Sequence, residues 1–246
     1  MNVRTVVLSS QKPVYKRVLL KLSGEAISNG ANGILNFDYI EQISQVIKKC
    51  LVNNVQIAVL VGAGNIWRGR SGGNMDRVKA DHMGMLATCI NSIALQECFI
   101  RNGMDAEVMT SVEMNSFAKP FVRDTAIEYL DSGKVVIFGG GLGIPFVSTD
   151  TASVVRAAEI NADVVLMAKN IDAIYTADPR KDKNATKIKS ITYKEILARG
   201  LQAMDSTATS FAMDNNIAIH VFGLNQCENI YNVIMGADMG TIVKGE

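Results

Sequence analysis

The chain has 246 residues, 48% of them hydrophobic, which is enough for a full core in one large α/β domain or two small ones. Its 25 Lys and Arg against 24 Asp and Glu leave a formal net charge of +1, which excludes a global field that recruits nucleic acid or an anionic membrane. His82 and His220 are too few for a His-rich metal centre, and Cys50, Cys89, Cys98 and Cys227, without C-x-x-C spacing, read as buried thiols of a reducing compartment.

Residues 1–14 lack a continuous apolar segment, Val6-Val7-Leu8 being flanked by Arg4 and Ser9-Ser10, so they read as a flexible extension before a single domain over residues 15–246. No run reaches the roughly 18 consecutive apolar residues of a membrane span, and a cytoplasmic protein is the expectation. Val18-Leu19-Leu20-Lys21-Leu22 is apolar on both sides of the pleat, as in a strand buried on both faces of a parallel sheet. An unpaired lysine charge is costly to bury, so the Lys21 ammonium either leans toward an anion at the strand's carboxyl end or reaches solvent there. Ser23-Gly24 then lets the backbone turn closely.

Asp38 with Glu41 has the spacing of a capping box and predicts a helix to about Asn53, followed by a strand over residues 56–61 that empties into Gly62-Ala63-Gly64-Asn65 and Ile66-Trp67-Arg68-Gly69-Arg70. A long helix is predicted over residues 76–102, ending at Gly103. Its middle is apolar all round, which points to cover on more than one face by a second subunit. A strand at 106–109, a helix at 124–131 and a strand at 135–138 lead into Gly139-Gly140-Gly141-Leu142-Gly143. A helix at 149–161 and a strand at 164–167 precede a polar, lysine-rich stretch over 169–189, irregular and long for a connection, hence functional. Thr192-x-x-Glu195 caps a further helix; helices at 205–215 and 227–235 and strands at 218–222 and 240–243 complete the chain. The alternation predicts an α/β fold, a three-layer α/β/α sandwich with a mostly parallel central sheet whose ligands bind at the carboxyl ends of the strands.

Three of those ends carry glycine: Ser23-Gly24, Gly62-Ala63-Gly64 and the run from Gly139 to Gly143. Glycine lets main-chain N–H groups approach a ligand and form anion-binding nests. No G-x-x-x-x-G-K-[ST] occurs, and Trp67 and Phe146 stand where a dinucleotide fingerprint needs its third glycine. Lys21, Arg68, Asp150 and Asp205 nevertheless make a set suited to phosphoryl transfer, which needs cations and alignment more than covalent chemistry. Each aspartate can instead be a plain helix cap.

The blocks Lys21-Leu-Ser-Gly-Glu25, Gly62-Ala-Gly-Asn-Ile-Trp-Arg-Gly69, Asp81-His-Met-Gly-Met-Leu-Ala87, Gly143-Ile-Pro-Phe-Val-Ser-Thr-Asp150, Tyr175-Thr-Ala-Asp-Pro179 and Met204-Asp205 together resemble the bacterial UMP kinases of the amino acid kinase superfamily, from about Val14 onward. The resemblance implies ATP- and Mg²⁺-dependent phosphorylation of UMP to UDP in pyrimidine nucleotide biosynthesis, by a cytoplasmic homohexamer tuned by GTP and UTP. Carried over by position, Lys21, Leu22, Ser23, Gly24 and Gly64 would contact ATP phosphates, with Arg68 nearby. Ala63, Asp81, Leu142, Gly143, Ile144, Pro145, Phe146, Val147, Ser148 and Thr149 would hold UMP. Lys169, Tyr175 and Asp178 would take the ATP base and ribose, and Asp205 would orient Lys21; Asp150 completes the catalytic group.

Three departures stand out. Ala63 replaces one of three glycines common in the pattern, which implies a negative φ there. Leu142 and Ile144 replace more polar residues, leaving main-chain contacts to uracil. Lys169-Asn-Ile-Asp-Ala173 replaces the common Thr-Lys-Val-Asp-Gly. Two other readings remain: a sister kinase acting on another small phosphate or carboxylate acceptor, and a non-catalytic nucleotide-binding sensor.

Overall fold

The apolar stretch around Lys21 forms strand β1, Arg17–Leu22, in a computed structural model that describes residues 12–30, 33–69, 73–201 and 203–245. β1 lies between β2, Gln56–Val61, and β6, Val164–Lys169, parallel to both, with Lys21 in register with Leu60 and Met167. Beyond β2 the sheet continues through β5, Val135–Gly139, to β3, Ala106–Thr110, and the two-residue β4, Lys119–Pro120. Beyond β6 it continues through β10, Ile219–Gly223, to β11, Thr241–Lys244, and β9, Ser190–Thr192. Every pairing in this sheet is parallel except β10 with β11, so the sandwich expected from the alternation is present. The chain leaves β1 toward β2 and comes back beside it as β6, which opens a crevice at the carboxyl end of β1.

Side-chain alternation along β1 divides the core. Val18, Leu20 and Leu22 pack against α1, Phe37–Val52, α2, Arg77–Arg101, and α7, Asn229–Ile234. Leu19 faces the other layer, built by α3, Arg123–Asp131, α4, Thr149–Glu159, α5, Tyr193–Ala198, and α6, Ser206–Asp214. Lys21 shares the parity of Leu19 and therefore points toward α4.

Several local expectations need revision. Asn36, not Asp38, caps α1 by accepting from the Tyr39 N–H, because the helix begins at Phe37 and Asp38 already lies in its first turn. The stretch over 169–189 is not wholly irregular: Lys169 ends β6, and β7, Ile174–Tyr175, pairs antiparallel with β8, Lys187–Ile188. Such two-residue strands carry no period that a sequence could display. The Thr192–Glu195 capping box is formed as its spacing predicts.

α2 is capped by Asp76, which accepts from Lys79 N–H. It is long and apolar enough to cross a bilayer by length and composition, with a window of mean hydropathy 1.3, but half of that window is buried inside the fold. Met83, Leu86, Ile90, Ile93 and Ile100 stay exposed along it, a stripe at helical spacing that agrees with the expectation of more than one apolar face. Residues 1–11 of the proposed extension lie outside the described residues; Val14 N–H donates to Ile234 O at 2.9 Å. All four cysteines are buried and free.

Candidate functional site

The floor of the crevice is made where two backbone turns touch. Ser23 caps a short 3-10 turn, Gly24–Ile27, and a Cβ on Gly24 would lie 2.5 Å from Gly62 O and 2.7 Å from Gly64 N, so only glycine permits the approach. The second turn is held from below by a buried amide pair. Asn65 and Asn91 exchange side-chain hydrogen bonds at 2.9 and 2.8 Å, and Asn91 Nδ2 also donates to Gly62 O at 2.8 Å. Ala63 is absent from the residues with positive φ, as its identity required.

Lys21 is 7% exposed, and its Nζ lies 2.7 Å from Asp150 Oδ1. The other oxygen of the same carboxylate is 2.9 Å from Lys169 Nζ. Burial pushes the Lys21 ammonium below its ordinary value, opposed by the Asp150 charge, and the neighbouring Lys169 adds to the fall. Burial also disfavours the Asp150 carboxylate, but Lys21 and Lys169 outweigh it and hold the carboxyl down at about 2. Two ammoniums share the one carboxylate at the carboxyl end of β1, with the charge of Asp205 also acting on Lys21, an arrangement suited to receiving a further anion.

Asp205 acts on Lys21 through its charge, which favours the ammonium, and its hydrogen bonds go elsewhere. It caps α6 by accepting from Ala208 N–H at 2.8 Å, and it accepts from Thr151 Oγ1 at 3.0 Å and from the Ser148 hydroxyl. Ser148 itself caps α4 by accepting from Asp150 N–H and Thr151 N–H. Lys21 pairs with Asp150, the second residue of that helix, because α4 starts over the end of β1. Asp205 acts on α4 and so on the carboxylate that α4 presents.

Above this floor lie two adjoining cavities that share Lys169 and Ala203. The first, 690 Å³, is lined by Ala63, Gly64, Arg68, Asp81, Leu142, Ile144, Phe146, Val147, Ser148, Thr149, Asp150 and Asp205 among others. Gly143 and Pro145 shape the same loop without lining it, and Lys21, Leu22, Ser23 and Gly24 line neither cavity: Leu22 is fully buried in the core, and Lys21 lies beneath Asp150. Arg68 is paired with Glu25 across the two turns and leaves over half its side chain exposed. Asp81 receives Arg77 Nε at 2.9 Å on both oxygens and the Phe146 N–H at 2.8 Å, so it already fastens the loop it was expected to face. Phe146 has φ of 68°, a left-handed conformation that a bulky side chain rarely adopts. The Asp81 bond and the Arg77 guanidinium, 5.4 Å from the ring centroid, accompany it there.

The second cavity, 580 Å³, is lined by Lys169, Tyr175 and Asp178 with Ile171, Pro179 and Leu201. Tyr175 donates to Asp172 at 2.8 Å, and Asp178 accepts from Arg180 N–H at 3.0 Å, closing a tight turn at the rim. Lys169 was expected at the base and ribose, but its Nζ sits on Asp150 at the junction of the cavities. Sequence reasoning missed the supports of the site. Asn91 is one; Trp67, whose Nε1 donates to Ala80 O at 2.8 Å, and Thr88, which accepts from Gly140 N–H at 2.8 Å, are others. A polar residue such as Asn91 inside an apolar helical run is the available signal, since a buried amide needs partners.

Paired lysines on one carboxylate, glycine turns at their feet and two ligand-sized cavities meeting above them define an α/β phosphate-binding protein. The sequence profile of the amino acid kinase family matches residues 16–223, and the chain belongs to that family. Among solved structures it is similar to a UMP kinase from Bacillus anthracis, with 36% identity over 94% of this chain and 97% of that one and a TM-score of 0.91. It is also similar to a UMP kinase from Ureaplasma parvum, with 30% identity, coverage of 93% and 98%, and a TM-score of 0.89. A uridylate kinase from Archaeoglobus fulgidus is similar at 26% identity, coverage of 92% and 99%, and a TM-score of 0.70.

Proposed function

We propose that this chain transfers the terminal phosphoryl group of ATP to UMP, giving ADP and UDP. The observation that carries the reading is the Lys21–Asp150–Lys169 bridge, which rises from the buried Lys21 through Asp150 in the larger cavity to Lys169 where the two cavities meet, the place the transferred group of a nucleotide pair would lie. An oxygen of the UMP phosphate attacks the γ-phosphorus, and the bond from that phosphorus to the β–γ bridging oxygen breaks with its electron pair toward ADP. The step is direct and forms no phosphoenzyme. The Lys21 and Lys169 ammoniums offset charge on the equatorial oxygens, Arg68 contributes at the open side, and Asp150 holds both lysines in line. Asp205 acts through α4. ATP phosphates lie over Gly64 and the Ser23–Gly24 turn, and its base and ribose occupy the cavity of Tyr175 and Asp178. UMP occupies the larger cavity, with Asp81 toward the ribose and the main chain of residues 142–149 toward uracil.

Among the described residues no group of three metal-ligating side chains comes together, and Asp150 is already claimed by two ammoniums. Mg²⁺ would arrive on the triphosphate, as is usual for this cation. The same reading makes the exposed apolar stripe of α2 a seam between subunits of a homohexamer in the cytoplasm, open to GTP and UTP as effectors.

The test is ADP release with ATP and Mg²⁺ and, separately, UMP, CMP, dUMP, aspartate or acetylglutamate as acceptor. Release that depends on UMP supports the reading. Release with an amino acid acceptor alone would make the chain a sister kinase, and thermal stabilisation by nucleotides without any release would make it a sensor.

A further inference from the structure

Behind the acceptor loop a buried arginine takes no part in the chemistry described above. Arg156 lies on α4, is 5% exposed, and rests its guanidinium 3.7 Å from the ring centroid of Phe121 and 5.8 Å from that of Phe138. Its Nη1 pairs with Glu159, and its Nη2 donates to Ser111 Oγ at 2.7 Å. Ser111 in turn donates its hydroxyl to Gly141 O at 2.7 Å.

The chemistry of the donors gives this chain one direction. A guanidinium has only N–H groups to offer, so it occupies an acceptor site on Ser111 Oγ, and the serine proton is left to point at the loop carbonyl. Gly140, Gly141 and Gly143 have φ of 77°, 58° and 72°, a conformation open to unsubstituted backbone. Thr88 holds the first of these glycines, a turn bond from Gly143 N–H to Gly140 O closes at 2.9 Å, and Asp81 holds Phe146, which leaves the carbonyl of Gly141 to Ser111. The loop wraps Ser111 closely: Ser111 N–H donates to Gly139 O at 3.2 Å, and a Cβ on Gly143 would lie 3.0 Å from Ser111 O. Arg156 shares a rigid helix with Asp150. One end of α4 presents the carboxylate that aligns the lysines, and the far end, through Ser111, sets the height of the loop lining the larger cavity.

We propose that Arg156 and Ser111 are positioning residues that register the acceptor loop, residues 140–147, against the phosphoryl-transfer centre. This rests on the assignment of the larger cavity to the acceptor nucleotide. Ser111→Ala removes the link to Gly141 and leaves the stacked arginine in place; Arg156→Met removes the donor itself. In Ser111→Ala the expected result is a KM for UMP raised about tenfold with KM for ATP and kcat within about twofold, since the lost bond bears on one substrate's loop. Amide deuterium uptake over 140–147 is expected to quicken while that of β1 and β2 stays as in the wild type.

A general structural role would instead lower the melting temperature and move both KM values together or neither. That outcome in a folded Ser111→Ala protein, with unchanged uptake over the loop, overturns the proposal even if Arg156→Met does not fold. If the wild type itself shows no UMP-dependent ADP release, the assignment of the reaction fails, and the deuterium uptake still decides whether Ser111 holds the loop.

Discussion

Replacing Asp150 with asparagine keeps the shape of the bridge and removes its charge. Lys21 would then be an ammonium with 7% exposure, facing an amide and a second ammonium. Removing one partner of a buried pair typically costs about 3–5 kcal/mol. The protein can escape part of that by releasing the Lys21 proton, and the escape has a fixed ceiling. Taking a proton from a lysine of reference value 10.5 at pH 7 costs about 4.8 kcal/mol, at about 1.36 kcal/mol per pH unit. The expected destabilisation is therefore about 3–5 kcal/mol, a fall in Tm of roughly 6–20 °C for a chain of this size.

The sign of the pH dependence follows. With its folded value pushed further below 10.5, Lys21 binds fewer protons folded than unfolded, so the stability deficit is present below 10.5 and shrinks as pH rises toward it. Activity runs the other way: turnover needs the charge, so kcat/KM of Asp150→Asn is expected to recover as pH falls, relative to the wild type. Thermal melts and ADP release from pH 6 to 9 read both. A variant that melts within about 2 °C of the wild type and has a parallel rate profile would refute the bridge as the organiser of the site.

Lys21→Ala is expected to keep nucleotide binding, measured by calorimetry, while turnover falls about 10²–10³-fold; near-normal turnover removes the lysine from the mechanism. Asp81→Asn is expected to raise KM for UMP far more than for ATP, because Asp81 also fastens Phe146 in the acceptor loop, and equal effects would show the cavities are misassigned. Gly24→Ala places a methyl group 2.5 Å from Gly62 O, a backbone atom that cannot swing aside, so a loss of roughly 1–3 kcal/mol and weaker ATP binding are expected. A wild-type melting curve for that variant would mean that the two turns can separate freely.

The layers of this fold were legible because β1, β2, β5 and β6 are continuous apolar runs and because α1 and α4 repeat near the helical period. The β7–β8 pair was not, since two residues per strand display no period. At the site, the glycine turns and Lys21 could be picked out by composition. Which carboxylate meets Lys21 could not: Asp150 and Asp205 both stand at helix starts, and only the placement of α4 over β1 decides between them. Ser148, a ligand contact by resemblance, caps α4 as well. Asn91, Ser111 and Arg156 look ordinary in the sequence, because a polar group that supports a turn from behind is distinguished only by partners far away in the chain.

The touch between Gly24 and the backbone of residues 62 and 64 separates two kinds of inheritance. Around it, the ground of the site consists of main-chain atoms and one bridge of three side chains on the central strands and on α4. The walls of the cavities belong to other segments, the start of α2 and residues 142–149 on one side and residues 171–181 on the other. Floor and walls thus come from different parts of the chain, and a substitution in a wall can reshape one cavity without moving the contact at Gly24.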